Sequence, residues 1–406
     1  MTFFKKTIRD LPLQGETVVV RVDYNVPLTD DGEISDDLRI KASLPTIKYL
    51  LARGCKVVLL SHLGRPDGKE KKYSLEPIAA RLSTLLAKEV VFVDDTVGDT
   101  VYQAVRRAPK KSVLLLENLR YYPEEEADSH AFAKAIVKST RAKYFVQDGF
   151  GAVHRAHAST HAITLFLPSV AGLLVEREYT TISHAMHTPK HPLVAVMGGA
   201  KVSDKIAVIE KFVPKADTIL IGGAMANTFL AYRGLKVGSS KYEPDQAEVL
   251  DRLYAVVAEK VGQSHVDDFL VLPSDVAVAS SIDTHHTRSN RSVQHIHDSD
   301  IALDIGNESI ERYSAIIAHA RTVVWNGTLG YAELPEFAHG SARVALTLAT
   351  HPQTVSIIGG GDTADFALKW DGGEGASFTH VSTGGGASLD LMAGKTLPGV
   401  ESLLDA

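Results

Sequence analysis

The sequence predicts an α/β protein made of two doubly wound parallel-sheet domains, Rossmann-like in plan. Short apolar runs alternate with helical patterns through the first half of the chain, which is typical of parallel strands with helices on both faces of the sheet. The same alternation starts again at residue 193. With 406 residues, the chain is also longer than one hydrophobic core usually accommodates.

The first half contains the elements of one such sheet. Strands are predicted at residues 17–22, 56–61, 90–93, 113–116 and 143–147, and helices at 41–51 and 75–86. The stretch LLVEREYTTISHAM at 173–186 has the pattern of one helix, and Pro189 and Pro192 follow it. We interpret this helix as the connection between the two domains.

The second half repeats the plan. Strands are predicted at residues 193–196, 218–223 (with its turn), 269–272, 322–325, 354–358 and 380–382, and helices at 246–258, 313–320 and 341–349. The polar, histidine-rich segment 280–300 shows no repeated metal-ligand spacing. We therefore expect it to be a surface excursion and not a metal site.

Composition and charge exclude several classes of protein. An apolar content of 45% with 23% charged residues is that of a soluble globular protein, and no run approaches the length of a membrane span. The first residues lack a secretory signal, and the single cysteine, Cys55, excludes an intramolecular disulfide. These features predict a cytoplasmic protein. Neither half has the concentrated basic charge of a nucleic-acid binder.

Charged side chains follow the predicted strands of the first half. Ligands bind beyond the carboxyl ends of strands in such sheets, and arginine is the fork-shaped donor for phosphate and carboxylate. Any single one of them is more often a surface residue than a ligand-binding one, and His62 could simply close its own turn. Together they indicate an anion site. The strand-end residues, charged and uncharged, are Arg21, Asp23, Asn25, His62, Gly64, Arg65, Glu117, Asn118, Arg120, Asp148, Phe150, His154 and Arg155. Arg39 is expected in the loop before a helix.

The stretch LVAVMGGAKVSDKI at 193–206 predicts a strand, a glycine turn and a helix. Ser203 and Asp204 stand where a helix N-cap is expected. Backbone N–H groups at a helix N-terminus attract anions, and Lys201 and Lys205 would reinforce this. The stretch therefore predicts a phosphate site with Lys201 directed at transferring charge, although an ordinary strand–helix junction has the same pattern. It is not a Walker A loop.

Two further glycine clusters, at 359–361 and 384–386, also follow predicted strands. Nucleotide phosphates are the natural ligand for backbone that must approach something closely. Asp362 is placed to reach a phosphate-bound Mg²⁺, or to cap the helix predicted at 363–369. Glu333 could bind a ribose hydroxyl or simply be an exposed carboxylate.

Eight motifs, in order along almost the whole chain, resemble those of the phosphoglycerate kinase family. They are RVDYNVP (21–27), SHLGRP (61–66), LLENLRYYPEEE (115–126), DGFGAVHRAH (148–157), GGAKVSDKI (198–206), VWNGTLG (324–330), GGGDTA (359–364) and VSTGGGASLDLMAGKTLPGV (381–400). The chain departs from the family pattern mainly at Thr328 and at Tyr331-Ala332, near the expected adenine and ribose.

The resemblance implies two domains that face a cleft. Residues 1–172 would bind 3-phosphoglycerate or 1,3-bisphosphoglycerate, 173–186 would be the inter-domain helix, and 187–390 would bind the nucleotide. The tail, 391–406, would pack back on the first domain. Closure would need hinges near 173–186 and 384–397. The resemblance also implies a monomer without nucleic-acid or membrane partners.

The resemblance assigns roles residue by residue. The phosphoglycerate would be held by Asp23, Asn25, Arg39, His62, Arg65, Arg120 and Arg155. The transferring phosphoryl group would be stabilised by Lys201, Arg39 and the backbone amides of Gly359 and Gly384. Magnesium nucleotide would be bound by Lys205, Gly222, Gly223, Asn326, Glu333, Gly360, Gly361, Asp362 and Thr363, with Asp362 reaching Mg²⁺.

The implied reaction is reversible: 1,3-bisphosphoglycerate and MgADP give 3-phosphoglycerate and MgATP. Both nucleophiles are already ionised, which agrees with a candidate set rich in cations and glycines and without an obvious general base. Two other classes remain open at this point. A dinucleotide-dependent oxidoreductase lacks support because no G-x-G-x-x-G is present. A non-enzymatic anion-binding protein would not need the second, glycine-rich site.

Overall fold

The apolar runs of the first half form a six-stranded parallel sheet. The computed structural model describes residues 3–29, 31–282, 287–373 and 375–406. It divides into two units: unit 1 runs to Thr180 and takes in Thr396–Ala406, and unit 2 is Thr181–Lys395. The strands of unit 1 are β1 Thr17–Arg21, β2 Lys56–Leu60, β3 Val90–Val93, β4 Val113–Leu116, β5 Tyr144–Gln147 and β6 Ser169–Ala171.

The sheet of unit 1 has the order β3-β4-β2-β1-β5-β6, with every pair parallel. Its helices are α1 Leu38–Ala52, α2 Glu76–Leu86, α3 Asp99–Arg107 and α4 His130–Thr140. Strands such as Val113–Leu116 are buried at every position because helices cover both faces. Val20, Leu59 and Leu115 of the sheet pack in one core with Ile47 of α1.

Helix α5, Leu173–His187, contains the division between the two units. Its first turn is held in unit 1, where Leu174 N–H donates to Asp148 Oδ1 (2.9 Å) and Leu173 N–H donates to Thr46 Oγ1 (2.9 Å). The C-terminal residues also belong to unit 1. Leu404 N–H donates to the Ser169 carbonyl at 3.0 Å.

Unit 2 has a second six-stranded parallel sheet, of order β15-β14-β13-β7-β8-β9. Its core contains the buried Trp325 together with Val196, Leu220 and Ile358. Its strands are β7 Leu193–Met197, β8 Thr218–Ile221, β9 Leu270–Val271, β13 Thr322–Asn326, β14 Val355–Gly359 and β15 His380–Val381; β10 Asp275–Ala279, β11 Ser289–Ser292 and β12 Ile301–Ile305 belong to another sheet of unit 2. The predicted α/β class with two parallel-sheet domains is confirmed.

The helices of unit 2 start close to the ends of these strands. They are α6 Ile206–Phe212, α7 Gly223–Tyr232, α8 Ala247–Val261, α9 Val266–Phe269, α10 Asn307–Ala318, α11 His339–Thr350, α12 Gly361–Trp370 and α13 Gly386–Met392; α14, Pro398–Glu401, lies in unit 1. In the part of the chain that the structure describes, no helix has both the length and the apolar character that crossing a bilayer requires.

A three-stranded antiparallel sheet, β11-β10-β12, was not predicted. Strand β11 lies within the histidine-rich segment and alternates between half-buried and exposed residues, as an edge strand does. The segment is therefore partly regular structure, where the sequence predicted a surface excursion. Residues 283–286 of this segment lie outside the described residues.

Three local predictions are wrong. Arg39 lies in the first turn of α1 and not in a loop, because the helix begins at Leu38. Ser203 does not cap α6, because its hydroxyl donates to Glu243 Oε1 at 2.6 Å and the N-cap is Lys205. Asp362 does not cap α12 either: Gly360 holds that position, and Asp362 is in the first turn.

Candidate active site

The substrate edge of unit 1 lies where its strand order reverses. After β1 the chain builds β2, β3 and β4 on one side of β1, and then places β5 and β6 on the other. The carboxyl ends of β1 and β5 therefore border the crevice that doubly wound sheets use for ligands. Asp23 and Asn25 follow β1, and Arg155 follows β5.

Asp23, Asn25 and Arg39 form one connected group. Asp23 Oδ1 accepts from Asn25 N–H at 3.1 Å, and its Oδ2 lies 3.8 Å from Arg39 Nε. Arg39 also donates to the Asn25 carbonyl. Burial alone would raise the pKa of Asp23, but chiefly the Arg39 charge, with the Asn25 N–H, lowers it below its usual value. Asp23 is thus a carboxylate that fixes a guanidinium.

Three arginines line one cavity of about 520 Å³. Arg65 and Arg155 are exposed, and Arg120 is half-buried. Arg120 Nη1 donates to the Gly64 carbonyl at 2.7 Å, and its Nη2 pairs with Glu126 Oε1 at 2.8 Å. The structure therefore brings together the arginines that the sequence placed after three different strands. A cavity with three guanidinium groups suits a phosphate.

His62 lies at the same edge, after β2, and is buried. Its Nδ1 is 3.0 Å from Nη2 of Arg21, the last residue of β1. Burial and the Arg21 charge hold the pKa of His62 well below its usual value. The ring is therefore neutral near pH 7.

Other strand-end residues are explained by the fold itself. Glu117 accepts from Ser74 Oγ (2.7 Å) and Leu75 N–H (2.9 Å). Asn118 donates to the Leu63 and Tyr73 carbonyls at 2.8 and 2.9 Å. Asp148 holds the start of α5. These three polar residues, which the sequence grouped with the anion site, therefore stabilise the fold through hydrogen bonds.

The glycine turns of unit 2 meet at the corresponding reversal of strand order, between β7 and β13. Gly198 N–H donates to the Asn326 carbonyl at 3.0 Å, and Gly199 N–H to the Thr328 carbonyl at 2.9 Å. A Cβ on Gly198 would lie 2.1 Å from the Thr328 oxygen, and one on Gly327 would lie 2.1 Å from the Gly198 oxygen. Side chains are excluded because the two turns touch.

Gly222 and Gly223 extend this packing. Gly223 N–H donates to the Leu329 carbonyl at 2.8 Å, and a Cβ on Gly223 would lie 2.6 Å from Gly199 N. The N-terminus of α7 is thereby held against the turn after β7. Close backbone packing explains Gly223 without a ligand, and a Cβ on Gly222 would lie 2.4 Å from the Leu329 side chain.

Lys205 and Asn326 lie together beside the second glycine cluster. Lys205 Nζ donates to Asn326 Oδ1, and Thr363 Oγ1 accepts from Gly327 N–H at 2.6 Å. The Nδ2 of Asn326 is buried with no hydrogen-bond partner among the described residues, and it lies 3.2 Å from the position that a Cβ on Gly360 would take. Burial lowers the pKa of Lys205 to about 8, although Asp362 and Asp204 oppose that shift. The arrangement offers donors to an anion.

The remaining candidate residues are mostly exposed. Lys201, Glu333, Gly361 and Asp362 are exposed. Gly359 ends β14, next to Asn326. Gly384 N–H donates to Ser382 Oγ at 3.1 Å.

Comparison with known proteins identifies the family. A family model described as phosphoglycerate kinase matches residues 8–395. The chain is similar to a chloroplastic phosphoglycerate kinase of Volvox carteri (48% identity, 98% of this chain and 86% of that protein). It is also similar to the phosphoglycerate kinase of Pelotomaculum thermopropionicum (45% identity, 99% of both chains). The solved structure of phosphoglycerate kinase from Coxiella burnetii matches at a TM-score of 0.83 and 33% identity, over 98% of each chain.

The chain belongs to the phosphoglycerate kinase family.

As a phosphoglycerate kinase, the chain is a transferase of glycolysis that moves a phosphoryl group reversibly between 1,3-bisphosphoglycerate and ADP. The resemblance noted in the sequence is confirmed, and both alternative classes are discarded. Sequence reasoning did not single out two fully buried polar residues, Glu125 and Ser159, although Glu125 lies within one of the quoted motifs. Glu125 is fully buried within the run PEEE, and nothing in that run separates it from its exposed neighbours.

Proposed function

We propose that unit 1 binds the phosphoglycerate through its arginine cavity and that unit 2 binds magnesium nucleotide through its glycine turns. The observation that supports this most is the meeting of Arg65, Arg120 and Arg155 on one cavity. Guanidinium groups recognise phosphate by paired N–H donors, so this cavity suits the terminal phosphate of the substrate.

The other end of the phosphoglycerate binds beside the first strand. Asp23 and Asn25 accept from the substrate hydroxyl or orient their neighbours, and His62 donates a hydrogen bond. Arg39 neutralises the acyl phosphate or carboxylate. Its contact with Asp23 supports this role, since the carboxylate fixes the direction of the guanidinium.

The nucleotide phosphates bind at the turns that follow β7, β13 and β14. Lys205 and the Nδ2 of Asn326, which has no partner in the described parts of the chain, donate to phosphate oxygens. The N-terminus of α12 contributes the backbone of Gly360, Gly361 and Thr363. Gly222 and Gly223 shape the adjoining backbone, and Glu333 binds the ribose.

Lys201 and Arg39 compensate the charge on the transferring phosphoryl oxygens, together with the amides of Gly359 and Gly384. Because Gly384 N–H already donates to Ser382 Oγ, this amide is shared with the hydroxyl. The attacking groups, a nucleotide phosphate oxygen or the substrate carboxylate, are ionised beforehand. The protein therefore positions the reactants and neutralises charge, with no general base.

The residues present fit a magnesium ion held jointly with the nucleotide. Mg²⁺ in such sites is bound by one or two carboxylates and by substrate phosphates, and it keeps several waters. Asp362 is an exposed carboxylate in the first turn of α12, close enough to Lys205 to affect its pKa. Among the described residues no cluster of three or more metal-ligating side chains occurs. Bound Mg²⁺ would neutralise nucleotide phosphate charge.

The domain bounds, the monomeric state and the cytoplasmic location stay predictions. The first domain is proposed as residues 1–172 with the tail 391–406, and the second as 187–390. Gel filtration with light scattering measures the oligomeric state directly.

Separate binding measurements on two variants test the division of labour. We expect Arg120→Ala to weaken 3-phosphoglycerate binding about tenfold or more, because charged hydrogen bonds contribute roughly 1.5–3 kcal/mol, and to leave ADP binding unchanged. We expect Lys205→Gln to weaken ADP binding and to leave 3-phosphoglycerate binding unchanged. Arg107→Ala, an exposed arginine at the end of α3, is the matched control. An equal loss of affinity for both ligands in either variant would contradict the assignment of one ligand to each unit.

A further inference from the structure

Three fully buried polar residues form a chain of contacts that begins at His62. Arg21 is 1% exposed, and Glu125 and Ser159 are 0% exposed. They come from the end of β1, from the PEEE run and from the loop after β5. None of the three lines the arginine cavity. Buried charges of this kind persist only where they are paired and hydrogen-bonded, so their arrangement calls for an explanation.

The contact between Arg21 and His62 has only one possible polarity. Arg21 Nη2 lies 3.0 Å from His62 Nδ1. A guanidinium has donors and no acceptor, so the imidazole Nδ1 must accept. A neutral histidine that accepts at Nδ1 carries its proton on Nε2. Arg21 therefore fixes the tautomer of His62 and makes its Nε2 a donor.

A second chain of contacts fixes Arg21 itself. Arg21 Nε donates to Ser159 Oγ at 2.7 Å, and the Ser159 hydroxyl donates to Glu125 Oε1 at 2.5 Å. Ser159 N–H also donates to Glu125 Oε2 at 3.0 Å. The hydroxyl has a single proton, so the direction from arginine through serine to carboxylate is determined. Arg21 completes its contacts with the Val22 carbonyl.

Glu125 is also a counter-charge for Arg21. Its Oε1 lies 4.0 Å from Arg21 Nη2, with both side chains buried. Burial raises the pKa of Glu125, while the Arg21 charge and the two Ser159 donors oppose that shift. His157 Nδ1 is 4.0 Å from the same carboxylate, but burial lowers the pKa of His157 to about 4, so this ring stays neutral. The cations that lower the pKa of Glu125 are Arg21 and, with a smaller effect, Arg120.

We propose that Glu125 and Ser159 are positioning residues that act through Arg21 to hold His62 as the Nε2–H tautomer, so that it presents a neutral donor to an anionic oxygen of the phosphoglycerate. The substrate contact rests on the proposed function of unit 1, whereas the tautomer does not. Without Glu125 or the Ser159 hydroxyl, Arg21 loses the partners that direct its Nη2 toward His62. His62 is then free to exchange tautomers and to rotate.

The tautomer is read by long-range ¹H–¹⁵N correlation spectra of the full chain without substrate. The His62 signals are assigned by their loss in His62→Gln. We expect an unprotonated Nδ1 and a protonated Nε2 in the wild type and in Glu124→Gln, the matched control one residue away at an exposed position. Ser159→Ala and Glu125→Gln should give averaged tautomer signals. A protonated Nδ1 in the wild type would overturn the proposal.

Steady-state kinetics give the second readout. Ser159→Ala is expected to raise the KM for 3-phosphoglycerate about tenfold, with kcat and the KM for ATP within about twofold, because a hydrogen bond to a charged group is lost or misdirected. If Glu125→Gln fails to fold, Ser159→Ala decides alone. Wild-type spectra retained in Ser159→Ala, with an unchanged KM, would contradict the positioning role. A wild type with the expected tautomer but no binding of phosphoglycerate would refute the proposed function instead.

Discussion

Replacing Asp148 by asparagine should stabilise the protein at alkaline pH. Asp148 is fully buried at the end of β5, where Oδ1 accepts from Leu174 N–H at 2.9 Å. Its Oδ2 is buried with no hydrogen-bond partner among the described residues. Burial therefore raises the pKa of Asp148 from 3.8 to about 7. Asparagine keeps the acceptor and the shape without the charge.

The sign and size follow from the two pKa values. The folded chain keeps the Asp148 proton up to about pH 7, while the unfolded chain loses it near pH 4, so the free energy of unfolding falls as pH rises between these limits. Because one pKa unit corresponds to about 1.4 kcal/mol, raising the pKa of Asp148 from 3.8 to about 7 lowers the free energy of unfolding by up to about 4 kcal/mol at high pH. Wild type carries this penalty above pH 7, and Asp148→Asn does not.

Urea unfolding followed by far-ultraviolet circular dichroism, at about pH 4.5 and about pH 8, measures the difference. The variant should be more stable by only about 1 kcal/mol at the lower pH, where the unfolded wild type is already mostly ionised, and by up to about 4 kcal/mol at the higher pH. Asp31→Asn, at an exposed position, controls for the loss of one charge. A variant that is less stable than wild type at about pH 8 would refute the reasoning.

Two further predictions concern unit 2. Because burial lowers the pKa of Lys205 to about 8, ADP affinity should fall as pH rises through that value and Lys205 loses its charge; calorimetry should show this fall in wild type and not in Lys205→Gln. Gly327→Ala should abolish nucleotide binding or destabilise unit 2, since its Cβ would lie 2.1 Å from the Gly198 oxygen at a φ of +99°. Gly234→Ala has a positive φ but open space, so it should cost only about 1 kcal/mol; equal losses in both variants would contradict the packing argument.

The sequence predicted the parallel sheets well because their strands are continuously apolar runs. The run at 113–116 is buried at every position, whereas the run at 90–93 is an edge strand with Val91 exposed, and the structure has strands with both of these bounds. The sequence did not predict the antiparallel sheet because β11 has the sequence SNRS, a polar edge strand without a hydrophobic pattern. Helix α7 escaped because it begins directly at Gly223, a residue usually associated with turns.

The candidate site was predictable where strand ends carry charge, and less so where tertiary contacts decide a role. Asp148 and Glu117 follow strands as Asp23 does, yet they bond to the backbone of α5 and to the segment before α2. Ser203 matches an N-cap pattern, but its hydroxyl donates a hydrogen bond to Glu243, which is distant in sequence. Residues far apart in the chain compete for the same polar group, and local spacing carries no information about that competition.

The most direct test of the proposed chemistry is turnover of 3-phosphoglycerate and MgATP, with the 1,3-bisphosphoglycerate product trapped by a reductive dehydrogenase step. Lys201→Ala and Arg39→Ala are measured beside wild type, with Lys236→Ala as an exposed control. Loss of one pre-organised donor should lower kcat by roughly two to three decades in the first two variants and leave the control unchanged. A change below about twofold in Lys201→Ala or Arg39→Ala would remove that residue from phosphoryl transfer.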